Sequence, residues 1–331
     1  MNYFKNNAGL LLGLLVLPVC FLLSVFISND AVSSAELWAA LLGQGGGTAR
    51  LILLGVRLPR AVAAVCCGAG LAVSGLLLQE ALGNHLASPG VIGVNAGAGL
   101  FVLLAALLLP YSPVLRGGAA FLGAVCAAGL VYGISRRAGA SKTMVVLSGV
   151  AVSSLMSAFS QGIITFWPDT VADKVSFSLG GLKGIDPAQL GVSAGIIAAA
   201  AVAALLLSGG IDLFSLGDEA AAGLGLDVRR WRVLSILCAA VLAGAAVSLC
   251  GLLSFVGLMI PNLVRIAAGG SCRKRLLLCC VWGSSFLLLC DVIARTAFYP
   301  YELPAGLLLS CLGAPFFIWL LLRRKGEGRH A

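Results

Sequence analysis

The sequence predicts an all-α integral membrane protein of about ten transmembrane helices, with both termini cytoplasmic. Three observations predict it. The chain of 331 residues is 60% hydrophobic and only 11% charged, where a soluble domain carries about 25% charge. Apolar runs of spanning length recur from one end to the other, giving a mean hydropathy of +1.04. Basic residues gather in alternate connections between those runs.

A spanning helix needs about 20 mostly apolar residues. The runs lie near 8–27, 61–82, 92–109, 117–135, 143–166, 189–208, 231–250, 256–268, 276–295 and 304–322. The first is longer than a signal-peptide core and no small-x-small cleavage site closely follows, so it reads as an uncleaved spanning helix. The second carries Ala64, Gly68 and Ala72 four apart, and Gly70 and Ser74 likewise. Gly93 and Gly97 repeat the spacing in the third. Small residues four apart share a helix face and let backbones approach closely. The eighth run is the shortest, and Pro261 falls in its middle. That proline predicts a broken helix whose irregular backbone faces protein or a cavity. Between the sixth and seventh runs lies the largest connection on the basic side, about 209–230. There Asp218, Glu219 and three alanines read as a short helix with acid in its first turn. No stretch remains for a soluble domain, so residues 1–331 read as one membrane domain.

Orientation follows from the basic residues. With the N-terminus inside, cytoplasmic connections hold Arg136, Arg137, Lys142, Arg229, Arg230, Arg232, Arg273, Lys274 and Arg275, and the tail holds Arg323, Arg324 and Lys325. The outer side keeps Arg50, Arg57, Arg60, Arg116, Lys174, Lys183 and Arg295.

The net charge of +9 does not point to nucleic acid. The basic residues form no aromatic-interleaved stripe and are accounted for by the inner connections. Most of the eleven cysteines sit inside apolar runs, with no zinc spacing, and read as small packing residues. His85 is one of two histidines and makes a poor metal candidate. Gly223 and Gly225 lack the strand and third glycine of a dinucleotide fingerprint, and no GxxxxGK[ST], HExxH or GxSxG occurs. Asp291 precedes Arg295 by four, the order of a helical ion pair. Glu80 and Gln79 close the second run where they can reach water, and 83–90 reads as a short cytoplasmic turn. Carboxylates within spans are costly and often functional. Glu80 and Asp291 therefore also allow a second reading, an ion- or proton-coupled secondary transporter.

The ordered set Arg57-Leu58-Pro59-Arg60, Gly68 to Gly75, Gln79, Asn84, Leu86-Ala87, Pro89-Gly90, Gly93 and Gly97 opens one pattern. Phe255-Val256-Gly257-Leu258, Pro261, Arg265, Asp291, Arg295, Glu302-Leu303-Pro304 and Gly313 to Phe317 continue it. From Arg57 to the C-terminus the chain resembles the FecCD-type permeases of bacterial ABC importers for iron–siderophores, haem and cobalamin. It departs from them at His85, where the family has proline, and at Asn262, where it has histidine. It departs again at Phe177, where the family has tryptophan. The resemblance implies a ten-helix, non-enzymatic permease in the bacterial cytoplasmic membrane, carrying a metal chelate, most often iron–siderophore. It implies no cofactor bound by this chain, with ATP used by two partner ATPase subunits. It also implies an extracytoplasmic substrate-binding protein, a second permease copy (identical or paralogous) and surrounding lipid. By resemblance, Arg57, Arg60 and Arg295 dock the binding protein. Asn84, His85, Lys142 and Thr143 lie at the cytoplasmic gate. Gly217, Glu219, Ala220 and Gly225 belong to the helix that couples to the ATPase. Pro261, Arg265 and Asp291 belong to structural motifs.

Overall fold

The structure, a computed structural model, describes residues 2–27, 32–43, 46–108, 113–139, 141–214, 217–298 and 300–327. Among them there is no strand. The helices are α1 (Asn2–Phe26), α2 (Ser34–Leu41), α3 (Gly47–Ile52), α4 (Leu58–Leu82), α5 (Val94–Leu108), α6 (Pro113–Arg137) and α7 (Lys142–Phe166). They continue as α8 (Val171–Leu179), α9 (Pro187–Phe214), α10 (Asp218–Gly223), α11 (Val228–Cys250), α12 (Val256–Ala267), α13 (Cys272–Thr296) and α14 (Ala305–Glu327). Each apolar run of the sequence falls on one of them. Among the described residues, seven helices are long and apolar enough to cross a membrane, and α5, α12 and α14 carry shorter apolar stretches. The short helices α2, α3 and α8 have no apolar run to announce them. The side chains of Arg323, Arg324 and Lys325 lie outside those described, as do residues Ser215 and Leu216 of the 209–230 connection.

At the centre stands α4, buried along most of its length against α9, α11, α12 and α13. Its small residues permit this. A Cβ on Gly68 would overlap the Gly283 carbonyl of α13, and one on Gly75 would overlap the Gly257 carbonyl of α12. Backbones this close bring polar side chains onto neighbouring carbonyls. Ser74 Oγ donates to Ala239 O at 2.6 Å, and Ser284 Oγ donates to Val65 O at 2.8 Å. In a lipid-surrounded bundle such packing and hydrogen bonding, rather than hydrophobic exclusion, hold helices together.

Two prolines shape the elements around α4. Pro59 has no N–H to continue an α-helical ladder. The chain widens into a π turn over Leu53–Arg57, where Leu58 N–H reaches back to Leu53 O. With α3 and α4 this makes one helical run, Gly47–Leu82, of 36 residues.

Pro261 behaves differently from the expectation. It lies within a continuous α12, and the irregular backbone precedes the helix, at Gly251 (φ +66) and Phe255 (φ +70). The reason lies in the Gly257 carbonyl, which Pro261 leaves without its backbone partner. That carbonyl accepts from Gln79 Nε2 of α4 at 3.4 Å.

Candidate functional site

Two charged clusters occupy opposite ends of α4. Arg60 and Glu80 are twenty residues apart on it, which at 1.5 Å per residue is about 30 Å, the thickness of a bilayer's hydrocarbon core.

At the Arg60 end, the π turn and the first turn of α4 aim Arg57 and Arg60 into protein. Arg57 Nη1 donates to Val25 O of α1 at 3.0 Å. Arg60 uses its whole fork. Nε and Nη2 hold Asp291 at 3.0–3.1 Å, and Nη1 holds Glu302 at 3.1 Å. Asp291 has no solvent exposure at all, whereas Glu302 is 35% exposed. Arg295 lies 3.5 Å from Asp291 and donates to Ser24 O at 2.7 Å. The Asp291–Arg295 spacing thus does form an ion pair, but the shorter bonds run to Arg60, 231 positions away in sequence. Removing one member of so buried a pair costs about 3–5 kcal/mol, whereas a half-exposed pair is worth about 1 or less. Arg57 and Arg60 are only 3% and 9% exposed. They are buried tethers between α1, α4 and α13. A cavity of about 680 Å³ opens beside them, lined in part by Arg60, Arg116, Lys183, Gln189, Tyr301 and Glu302. Arg116 and Asp173 pair across it, joining α6 to α8.

At the Glu80 end, Gly83 ends α4 in the left-handed conformation (φ +59) that glycine adopts without strain. Asn84 Oδ1 then accepts from Leu86 N–H at 2.9 Å and folds the turn. His85 is held twice by α12. Its carbonyl accepts from Asn262 Nδ2 at 2.9 Å, and its Nε2 accepts from Arg265 Nη1 at 2.8 Å. Two of the three positions that depart from the family pattern, His85 and Asn262, therefore touch. Arg265 and Arg275 both donate to Glu80 Oε1 at 2.8 Å. Arg275 also lies 3.7 Å from Asp212, which caps α13 by accepting from Cys272 N–H at 2.6 Å.

The connection between α9 and α11 joins the same cluster. Gly217 (φ +96) starts α10 and Gly225 (φ +85) follows it. Glu219, Ala220, Leu224 and Gly225 face outward, Leu224 being 64% exposed. Asp218 faces inward, 2.6 Å from Arg232 Nη2 and 3.1 Å from Lys142 Nζ, the first residue of α7. Arg232 Nε donates onward to Ala81 O of α4 at 3.1 Å. Burial pushes the Asp218 carboxyl up, but the hydrogen bonds from Arg232 and Lys142 outweigh it and hold it below its ordinary value. Lys142, His85 and Asn84 are thus gathered at one end with α10. Thr143 lies exposed one residue further along α7. The roles of Arg232, Asp212 and Arg275 were hidden in sequence, because nothing in a run of arginines says which one turns inward.

No group of three or more His, Cys, Asp or Glu side chains that could hold a metal occurs among the described residues. Glu80 sits between Arg265 and Arg275, and Asp291 between Arg60 and Arg295. The secondary-transporter reading is not favoured.

The model of the FecCD transport family matches residues 15–323. The chain belongs to that family. It is 36% identical to the Fe(3+)-citrate import system permease protein of Bacillus subtilis over 85% of this chain and 84% of the relative. It is 36% identical to the hemin transport system permease protein of Yersinia pestis, over 83% and 84% of the two chains. It is also 36% identical to the vitamin B12 import system permease protein of Vibrio cholerae, over 97% and 95%. Its fold matches an inward-facing metal-chelate type ABC transporter with a TM-score of 0.83 and 26% identity, over 95% of this chain and 98% of the other. This FecCD chain is therefore a multi-pass membrane permease of the ABC-importer type.

Proposed function

We propose that the chain imports a metal chelate across the bacterial cytoplasmic membrane, with iron–siderophore the first candidate and haem and cobalamin the others. It has ten spans and both termini inside, so that the Glu80 end is cytoplasmic and the Arg60 end faces out. Two separate ATPase chains hydrolyse the ATP, and an extracytoplasmic binding protein delivers the substrate. No covalent chemistry falls to this chain.

One observation carries the reading: α10 presents Glu219, Ala220, Leu224 and Gly225 outward while Asp218 ties it to α11 and α7, and through Arg232 to α4. An exposed leucine beside Glu219, on a connection of small residues, suits a docking cleft. The ion pairs behind it carry a displacement of α10 to the turn at Asn84 and His85, which gates the path with Lys142 and Thr143. Pro261 and Arg265 serve that gate through Gln79, Glu80 and His85. A second copy of the chain closes the path against α7. That helix exposes Ser154, Ser157, Gln161 and Thr165, which face a wet pathway more cheaply than lipid.

At the outer end Arg57, Arg60 and Arg295 serve docking by fixing where α1, α4 and α13 end, with Arg60 also lining the cavity. The test is uptake of labelled ferric siderophores, haem and cobalamin in a strain lacking the gene, with and without the wild-type copy. Uptake of one of them restored by the gene supports the reading, and restoration of none defeats it.

A further inference from the structure

Arg60 is held by two carboxylates of opposite character. Asp291 is completely buried, takes the Nε and Nη2 edge, and is shared with Arg295. Moving it would take the one fully buried carboxylate from both guanidinium groups. Glu302 takes only Nη1 and stands on the turn between α13 and α14. Its side chain is 35% exposed, and both partners line the 680 Å³ cavity. The turn itself is pinned by backbone, with Leu303 N–H on Ala294 O at 3.0 Å and Tyr301 N–H on Phe298 O at 2.9 Å. The Glu302 side chain can therefore swing into water without unfolding the turn. The remaining cations on the cavity wall are Arg116, already facing Asp173, and Lys183, which is exposed.

We propose that Glu302 is an exchangeable occupant of Arg60: an acidic side chain of the docking protein enters the cavity, takes Nη1 and releases Glu302 to solvent. Asp291 stays and keeps the guanidinium aimed. This rests on the docking reading above and adds the residue that competes with the partner. Arg60 stays charge-balanced in the free permease, and the partner's carboxylate must outbid one half-exposed ion pair to bind. The Glu302 side chain thereby sets how acidic and how well placed the partner's residue has to be.

The experiment uses the full permease–ATPase complex in nanodiscs and the isosteric variant Glu302→Gln, with Glu302→Asp as the conservative control. Affinity for the importer's binding protein is measured at low salt. Glu302→Gln is expected to bind about two- to fivefold tighter than wild type, the worth of a half-exposed pair, with Glu302→Asp between the two. In parallel, phenylglyoxal modification of Arg60 is read by peptide mass spectrometry. It is expected to be faster in Glu302→Gln and slowed by N-acetylglutamate amide but not by N-acetylglutamine amide. Equal or weaker binding-protein affinity in Glu302→Gln overturns the exchange while leaving docking intact. Failure of the binding protein to associate with any form overturns the docking reading and the exchange with it, whereas equal phenylglyoxal rates in Glu302→Gln and wild type overturn the exchange alone.

Discussion

The Arg232 guanidinium meets the Asp218 carboxylate at 2.6 Å while its Nε donates to the last turn of α4 at Ala81 O. One side chain thus joins the short helix α10 to the central helix of the bundle. Asp218→Asn keeps the shape and removes the charge. Uptake is expected to fall about fivefold or more, the size of a lost coupling free energy, while ATP hydrolysis by the assembled complex continues. Parallel uptake and hydrolysis assays in proteoliposomes check this. Equal loss of both would mean that Asp218 serves assembly and not coupling.

The same carboxylate sets a pH dependence. Its value in the folded protein lies below the ordinary 3.8, so the charged form stabilises the α10 anchorage above that value. The contribution disappears as pH falls through the lower, folded value. Hydrogen exchange of the α10 amides is expected to stay flat from about pH 8 to 5, after correction for the intrinsic rate, and to rise only in stronger acid. In Asp218→Asn the protection should be lower and independent of carboxylate titration.

Close approach of α4 and α12 depends on two residues one turn apart. A Cβ on Gly75 would overlap the Gly257 carbonyl, which also needs the Gln79 amide because Pro261 cannot serve it. Gly75→Ala is expected to push the helices apart and cost more than Gln79→Leu, which strands one buried carbonyl at about 1–3 kcal/mol. Thermal melts of the detergent-solubilised variants give the order, and a stable Gly75→Ala protein would contradict it.

At the proposed gate, cysteines replacing Asn84 and Thr143, in a background freed of native thiols, should change their rate of labelling when nucleotide is trapped on the partner ATPase. The Asn84 turn is bound to α12 through His85, and α7 is bound to α10 through Lys142. Motion of α10 therefore has a route to both. Identical rates in the two states would remove the gating role.

How much of this was legible in sequence depended on the distance between partners. Apolar periodicity is local, so the helix under every apolar run was visible, and the spacing of Ala64, Gly68 and Ala72, with Gly70 and Ser74, announced close packing. Basic residues placed Lys142 and Arg232 at the same end as the acidic connection. The pairing of Arg60 with Asp291 across 231 positions was not legible, because the local i,i+4 partner Arg295 offered a sufficient account. Pro261 read as a breaker since its compensation comes from Gln79 on another helix. The tethering of Arg57 to Val25 O was hidden for the same reason: a backbone carbonyl leaves no mark in sequence.

The central claim is that this chain moves its substrate only when α10 is driven by an ATPase. The most direct measurement is uptake of a labelled chelate into proteoliposomes holding the permease, with and without its ATPase chains, under ATP and under an imposed proton gradient. Uptake that requires the ATPase and ATP, is indifferent to the gradient, and is lost in Glu219→Lys with protein insertion unchanged is the predicted result. Gradient-driven uptake by the permease alone would contradict it.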